Sequence, residues 1–113
     1  MRKLISFAIA GLAACNVPSA QAAQSMLTSW YGPGFNGRLT ANGEIYNMYG
    51  RTAAHKTLPF GTKLTVCLNG CTTVRINDRG PYIGGRQLDL SYGAASAIGL
   101  THSGVAYTWV TFL

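Results

Sequence analysis

Lys63-Leu64-Thr65-Val66-Cys67-Leu68-Asn69-Gly70-Cys71-Thr72-Thr73-Val74-Arg75-Ile76-Asn77 is the stretch from which the architecture can be worked out. Two runs of alternating character flank Leu68-Asn69-Gly70, and Asn and Gly tolerate the positive φ angles that a tight hairpin turn demands. Folding the run on that turn sets Cys67 opposite Cys71, Thr65 opposite Thr73 and Lys63 opposite Arg75 on one face. The other face carries Leu64, Val66, Thr72, Val74 and Ile76. Since strand side chains alternate with period two, the apolar set goes inward and the cysteines go to the solvent side. Directly opposed strand residues have Cα atoms ~4.5–5.5 Å apart, within disulfide reach. Closing so short a loop removes little chain entropy, so the bond would serve to pin the turn. A zinc site built from these cysteines with His55 and His102 lacks a recognisable ligand spacing.

Outward from the hairpin, the chain continues as short strand-like pieces broken by glycine. Residues 26–31, 51–55, 63–68, 71–77, 86–90 and 104–112 are expected to be strands. One alanine-rich stretch, 91–98, reads as a helix, with Asp89 or Ser91 as its cap. The pattern is all-β with one short helix. A domain of about 90 residues buries a limited core, and closing the sheet into a barrel would remove its exposed edges. On the last strand Tyr107 and Trp109 share one face and Val110 and Phe112 the other. With both faces apolar, that strand is expected to be interior or well covered.

The first 22 residues stand apart. Arg2 and Lys3 precede an uncharged apolar run over 4–14, and Ala20-Gln21-Ala22 offers a processing site. The run falls short of the ~20 apolar residues a membrane-spanning helix needs, so an export signal over 1–22 is expected, with one domain over 23–113. Leu12-Ala13-Ala14-Cys15 also resembles a lipoprotein processing box; cleavage there would end the signal at residue 14 and leave Cys15 lipidated as a membrane anchor. Either outcome leaves Cys67 and Cys71 as an even pair in an oxidising compartment, which favours the disulfide. Removing the signal takes two of nine basic residues, leaving about +4 against three acids. No basic stripe or nucleic-acid motif is present, and export argues against such a partner.

Those three acids, Glu44, Asp78 and Asp89, are the only carboxylate side chains in the chain. Cleaving a glycosidic bond requires a proton for the leaving oxygen, commonly from a carboxylic acid of raised pKa, and only these residues offer one. Each also has a structural reading. Glu44, in Ala41-Asn42-Gly43-Glu44, could be a solvated loop residue. Asp78, before Arg79-Gly80-Pro81, could hold an Asx turn. Asp89 could cap the helix that follows it, and His55 could be a hydrogen-bonded core histidine. Ser29-Trp30-Tyr31-Gly32 and Phe35-Asn36-Gly37 could present rings to a sugar, although aromatics at strand ends more often pack in the core.

Six blocks in this order resemble the rare lipoprotein A family: Ser29-Trp30-Tyr31-Gly32, Phe35-Asn36-Gly37, Thr40 to Glu44, Thr52 to Thr62, Val74-Arg75-Ile76-Asn77-Asp78-Arg79-Gly80-Pro81, and Asp89-Leu90-Ser91. The resemblance covers about residues 27–112 and implies a six-stranded double-psi β-barrel with one short helix. It implies a lytic transglycosylase that cuts peptidoglycan glycan strands, preferably stripped of stem peptides, leaving 1,6-anhydro-muramic ends. Glu44, His55 and Asp78 match the family's catalytic set, and Glu44 is the expected proton donor. Asp89 matches a further acidic position shared with related barrels. Trp30, Tyr31, Asn36, Arg79 and Asp89 are the expected substrate contacts, although relatives often carry histidine where this chain has Asn36. No metal or organic cofactor is implied, the partner is the glycan strand, and a monomer in the periplasm or cell envelope is expected. The competing function is a non-catalytic, expansin-like wall-binding module, which would need the aromatic and basic surface but no working acid; a structural envelope protein is a third.

Overall fold

The computed structural model describes residues 23–113, so the expected signal segment and Cys15 lie outside the described residues. The 63–77 run folds as the alternation requires. Strands β3 (Lys63–Cys67) and β4 (Cys71–Asp78) pair antiparallel, with Lys63 opposite Arg75, Leu64 opposite Val74, Thr65 opposite Thr73 and Cys67 opposite Cys71. The two cysteines form a disulfide across a Cα separation of 4.1 Å. Joined to each other, they supply no thiolate ligands, and among the described residues no His, Cys, Asp or Glu cluster suits a metal.

Around this hairpin, strands β1 (Gln24–Trp30), β2 (Thr52–Ala54), β5 (Leu88–Leu90) and β6 (Ala106–Phe112) close a barrel in the order β1-β5-β2-β4-β3-β6. The pairs β1/β5 and β2/β4 run parallel and the remaining neighbours antiparallel. Closure leaves no free sheet edge, which suits a chain this small. The inward set is Met26, Ala53, Leu64, Val66, Val74, Ile76, Leu88, Leu90 and Val110, all buried. A polar pair, Thr28 and Thr108, sits among them with hydroxyls 2.8 Å apart, so neither is left unpaired.

Helix α1 (Tyr92–Ile98) adds Ala94, Ala95 and Ile98 to the core. Its cap is Ser91, whose hydroxyl accepts from the Ala94 amide; Asp89 lies two residues earlier, inside β5, and does not cap. The 68–70 turn packs beneath the end of this helix, with the Asn69 amide donating to Ile98 O. Gly70 takes no positive φ, contrary to the turn chemistry expected of it. Its role is steric: a Cβ there would stand 3.0 Å from Ala97 O.

The expectation that β6 is covered on both faces also fails. Thr108 and Val110 are buried, but Tyr107 and Trp109 are 66% and 60% exposed. Alternation points them out of the barrel, between outward residues of β1 and β3.

Candidate active site

One register level runs across four strands and organises the site. Ser29 of β1 pairs with Asp89 of β5, Asp89 with Ala54 of β2, and Ala54 with Asp78 of β4. The two aspartates thus flank Ala54, with Cα atoms about two strand spacings, roughly 10 Å, apart. Ala54 is small and buried, and the rings of Tyr31 and Tyr46 pack against it. Between Ala53 and Ala54 the register against β4 slips by one residue, pairing Ile76 and then Asp78. Such a bulge re-aims side chains. Here two successive residues, Asn77 and Asp78, both engage the 40–44 loop: Asn77 Nδ2 donates to Glu44, and Asp78 accepts from the Ala41 amide.

Three donors converge on the Asp78 carboxylate. The Tyr31 hydroxyl donates to Oδ2 at 2.9 Å, and the Ala41 and Arg79 amides donate to Oδ1, each at 2.9 Å. Tyr31 is fixed in turn by stacking on Tyr46, with centroids 4.8 Å apart, and Tyr46 Oη accepts from the Tyr92 amide. Burial, then the Asp78 charge, raises the Tyr31 phenol far above its ordinary value, so it remains a donor.

Asp89 is the acid least supplied with donors. Its Oδ1 takes the Ser29 hydroxyl at 2.9 Å, and among the described residues Oδ2 receives no hydrogen bond. Burial raises its pKa, opposed by the Ser29 hydrogen bond and the Arg86 charge and reinforced by Asp78. A carboxyl in this setting is pushed toward its neutral, proton-bearing form.

Glu44 sits in the opposite setting. Arg75 grips it through both terminal guanidinium nitrogens, Nη1 on Oε2 at 2.6 Å and Nη2 on Oε1 at 2.9 Å, and Asn42 and Asn77 each add a donor. The hydrogen bonds from Arg75, and then those from Asn42 and Asn77, hold its pKa down at about 2. The Asn77 amide oxygen, in a residue 1% exposed, finds no partner among the described residues. Such an orphan costs about 1–3 kcal/mol, accepted in placing Nδ2 on Glu44.

His55 lies at the end of β2, where its backbone amide donates to Asp78 O. Its Nδ1 accepts from the Thr57 and Leu58 amides at 3.1 Å. Burial and then the charges of Arg79 and Lys56 lower its pKa, giving a neutral ring with its proton on Nε2. No hydrogen bond joins the ring to Glu44, Asp78 or Asp89. Arg79 turns back into the protein: Nη1 donates to His55 O and Leu58 O, and the guanidinium lies 4.0 Å from the Phe60 centroid. Trp30 packs on the core and on Tyr92, and Asn36 Oδ1 accepts from the Met48 amide. The structure therefore brings the half-buried Asp78 and Asp89 together with the buried Tyr31, with Glu44 at the edge of the group. Trp30, Asn36 and Arg79 brace the loops around it.

Sequence reasoning gave no site role to Ser29, Tyr46, Arg75 or Asn77. Arg75 left a signal: it pairs with Lys63 on the outward hairpin face, where two like charges need a counterion.

A closed six-stranded barrel of mixed parallel and antiparallel neighbours, with Asp78 and Asp89 flanking Ala54, is a double-psi β-barrel. The family model described as lytic transglycolase matches residues 23–110, and the chain belongs to this family. It is 63% identical over 82 residues to the Synechocystis protein named "Probable endolytic peptidoglycan transglycosylase RlpA", covering 70% of this chain and 26% of that protein. Against the endolytic peptidoglycan transglycosylase RlpA of Vibrio cholerae it is 56% identical over 86 residues, covering 74% and 33%. The chain thus spans between a quarter and a third of these relatives. Among solved structures, the Streptomyces papain inhibitor shares the fold at a TM-score of 0.65 and 20% identity, covering 81% of this chain and 94% of its own.

Proposed function

We propose that the barrel, residues 23–113 after removal of an export signal, is an endolytic lytic transglycosylase of cell-envelope peptidoglycan, with Asp89 as its proton donor. The observation that carries this reading is the burial of Asp89, which raises its pKa beside an Asp78 already occupied as an acceptor. A family that includes endolytic peptidoglycan transglycosylases supports the substrate class.

Asp89 gives its proton to the oxygen linking N-acetylmuramic acid to N-acetylglucosamine, and the C1–O bond breaks. Positive charge builds at C1, and Asp78, fixed by three donors, stabilises it. The C6 hydroxyl of the same muramic residue then attacks C1, and its proton returns to the Asp89 carboxylate. One bond forms for one broken, the acid is regenerated, and no water is consumed. The paired-carboxylate spacing that ordinary glycosidases use to admit water is therefore not needed. Glu44 does not donate in this scheme. Ion-paired to Arg75, it holds the 40–44 loop against β4 and so positions Asp78 through the Ala41 amide. His55, neutral with its proton on Nε2, serves as a hydrogen-bond donor at the rim.

The test is mass analysis of peptide-free glycan strands after incubation with the protein. Anhydro-muramic ends that vanish with Asp89→Asn support the reading, and reducing ends would mean hydrolysis. Folded protein that binds strands without cutting them would return the domain to a non-catalytic wall module. Export, the choice between cleavage after Ala22 and lipidation at Cys15, and a monomeric state belong to the same proposal. The mass of the exported protein and its sedimentation test them.

A further inference from the structure

On the outer wall, a short distance along β4 from Asp78, lies a depression of about 270 Å³ lined by Arg51, Lys63, Thr73, Val74 and Arg75. Three of these five residues are cations, brought together by the sheet. Lys63 opens β3 directly opposite Arg75, and Arg51 precedes the Thr52 that pairs with Arg75 from β2. Among the described residues the one carboxylate that reaches this cluster is Glu44, on Arg75. It occupies one donor on each terminal guanidinium nitrogen and leaves the other hydrogens of that fork unused. Arg51 makes only a long 3.5 Å contact to Tyr49 O. A concave surface lined by one sign of charge concentrates the field that draws an anion to it. Arg75 and Asp78 are three residues apart on β4, about 10 Å along a strand, a span of the order of one disaccharide.

We infer that this depression is an anion subsite of the glycan groove, taking the free carboxylate of the lactyl group on a muramic residue next to the one cleaved. The inference rests on the transglycosylase reading for the identity of the strand in the groove. Arg51 and Lys63 supply the new ion pairs, and Arg75 is shared between the ligand and Glu44. A muramic residue still carrying a stem peptide has this carboxylate tied up as a neutral amide. The subsite therefore distinguishes bare from peptide-bearing strands by charge. A wall polymer with phosphate groups presents similar oxyanions without the sugar spacing, so the two sources are separable.

The experiment measures equilibrium binding by the full chain carrying Asp89→Asn, which prevents cutting. Three ligands are compared: peptide-free glycan strands, the same strands with lactyl carboxylates converted to methylamides, and poly(glycerol phosphate). The free carboxylates should tighten binding about tenfold, the scale of one charge-assisted contact, with the advantage shrinking as salt rises. Adding Lys63→Gln or Arg51→Gln should reduce that advantage, and adding both should abolish it while affinity for the amidated strands holds. Equal binding of free and amidated strands, or an advantage that survives the double substitution, overturns the subsite. Tighter binding of the phosphate polymer than of the free strands overturns the carboxylate assignment. A parallel loss of affinity for both strands on substitution would show a merely structural role and also overturns it. Because binding is read, absence of cleavage by the unsubstituted protein would count against the transglycosylase reading alone.

Discussion

Glu44 and Asp89 come to the same rim of one barrel and end in opposite electrostatic states. Glu44 is partly exposed, gripped by both terminal nitrogens of Arg75 and by two asparagine amides, and its pKa falls to about 2. Asp89 is more deeply buried, has a single serine hydroxyl for company, and its pKa rises. Desolvation acts in the same direction on both, so the partners make the difference: a bidentate cation outweighs it at Glu44, and one neutral hydroxyl does not at Asp89. An acid held charged is a fastening, whereas one pushed toward neutrality carries a proton that can be given away.

The contrast is sharpest in activity. Asp89→Asn should lower production of anhydro-muramic ends roughly a hundred- to ten-thousandfold, the usual worth of a general acid, while the thermal midpoint stays within a few degrees. Tyr31→Phe keeps the ring stacked on Tyr46 and removes only the hydroxyl on Asp78; a rate loss of about tenfold to a hundredfold is expected in the same assay, with about 1 kcal/mol of stability lost in urea. Glu44→Gln should cost about tenfold or less in rate, by loosening the loop that delivers the Ala41 amide. A loss at Glu44 equal to that at Asp89 would break the comparison.

The smallest effects are in stability against pH, and the two acids should have opposite signs. Glu44 has a folded pKa below its ordinary 4.5, so its contribution is complete above about 4.5 and is lost as pH falls toward 2. A half-exposed ion pair of this kind contributes at most about 1 kcal/mol. Asp89 has a folded pKa above its ordinary 3.8, so ionising it costs stability as pH rises above that value, and Asp89→Asn should remove this slope. Urea midpoints of both variants between pH 2 and 7 measure the two trends. Activity should share the second sign, falling as pH rises through the folded pKa of Asp89, with that limb retained in Glu44→Gln.

Strand pairing was legible because it depends on neighbours. The register from Lys63–Arg75 to Cys67–Cys71 follows from alternation and a four-residue separation, and the helix with its Ser91 cap follows from local composition. The acid states were not legible, because they depend on residues far away in the chain: Arg75 lies 31 positions from Glu44, Asp78 lies 47 from Tyr31, and Asp89 lies 60 from Ser29. Glu44 is the choice of donor from sequence, a lone glutamate on a loop that matches the family's catalytic set; its pairing with Arg75 is the reason for proposing Asp89 in its place. Gly70 was misread for a similar reason, since what excludes a side chain there is the carbonyl of Ala97, on a helix a sequence pattern does not position. Likewise, alternation on β6 identified an outward aromatic face without showing that nothing described packs across it.

A carbon-detected NMR titration of the side-chain carboxyls, with only three to assign, reads the two acid states themselves. Glu44 should titrate near 2 and Asp89 above 3.8, so that Asp89 still holds its proton after Glu44 has lost its own. Midpoints in the reverse order, with Glu44 protonated longest, would contradict Asp89 as the donor and return that role to the glutamate.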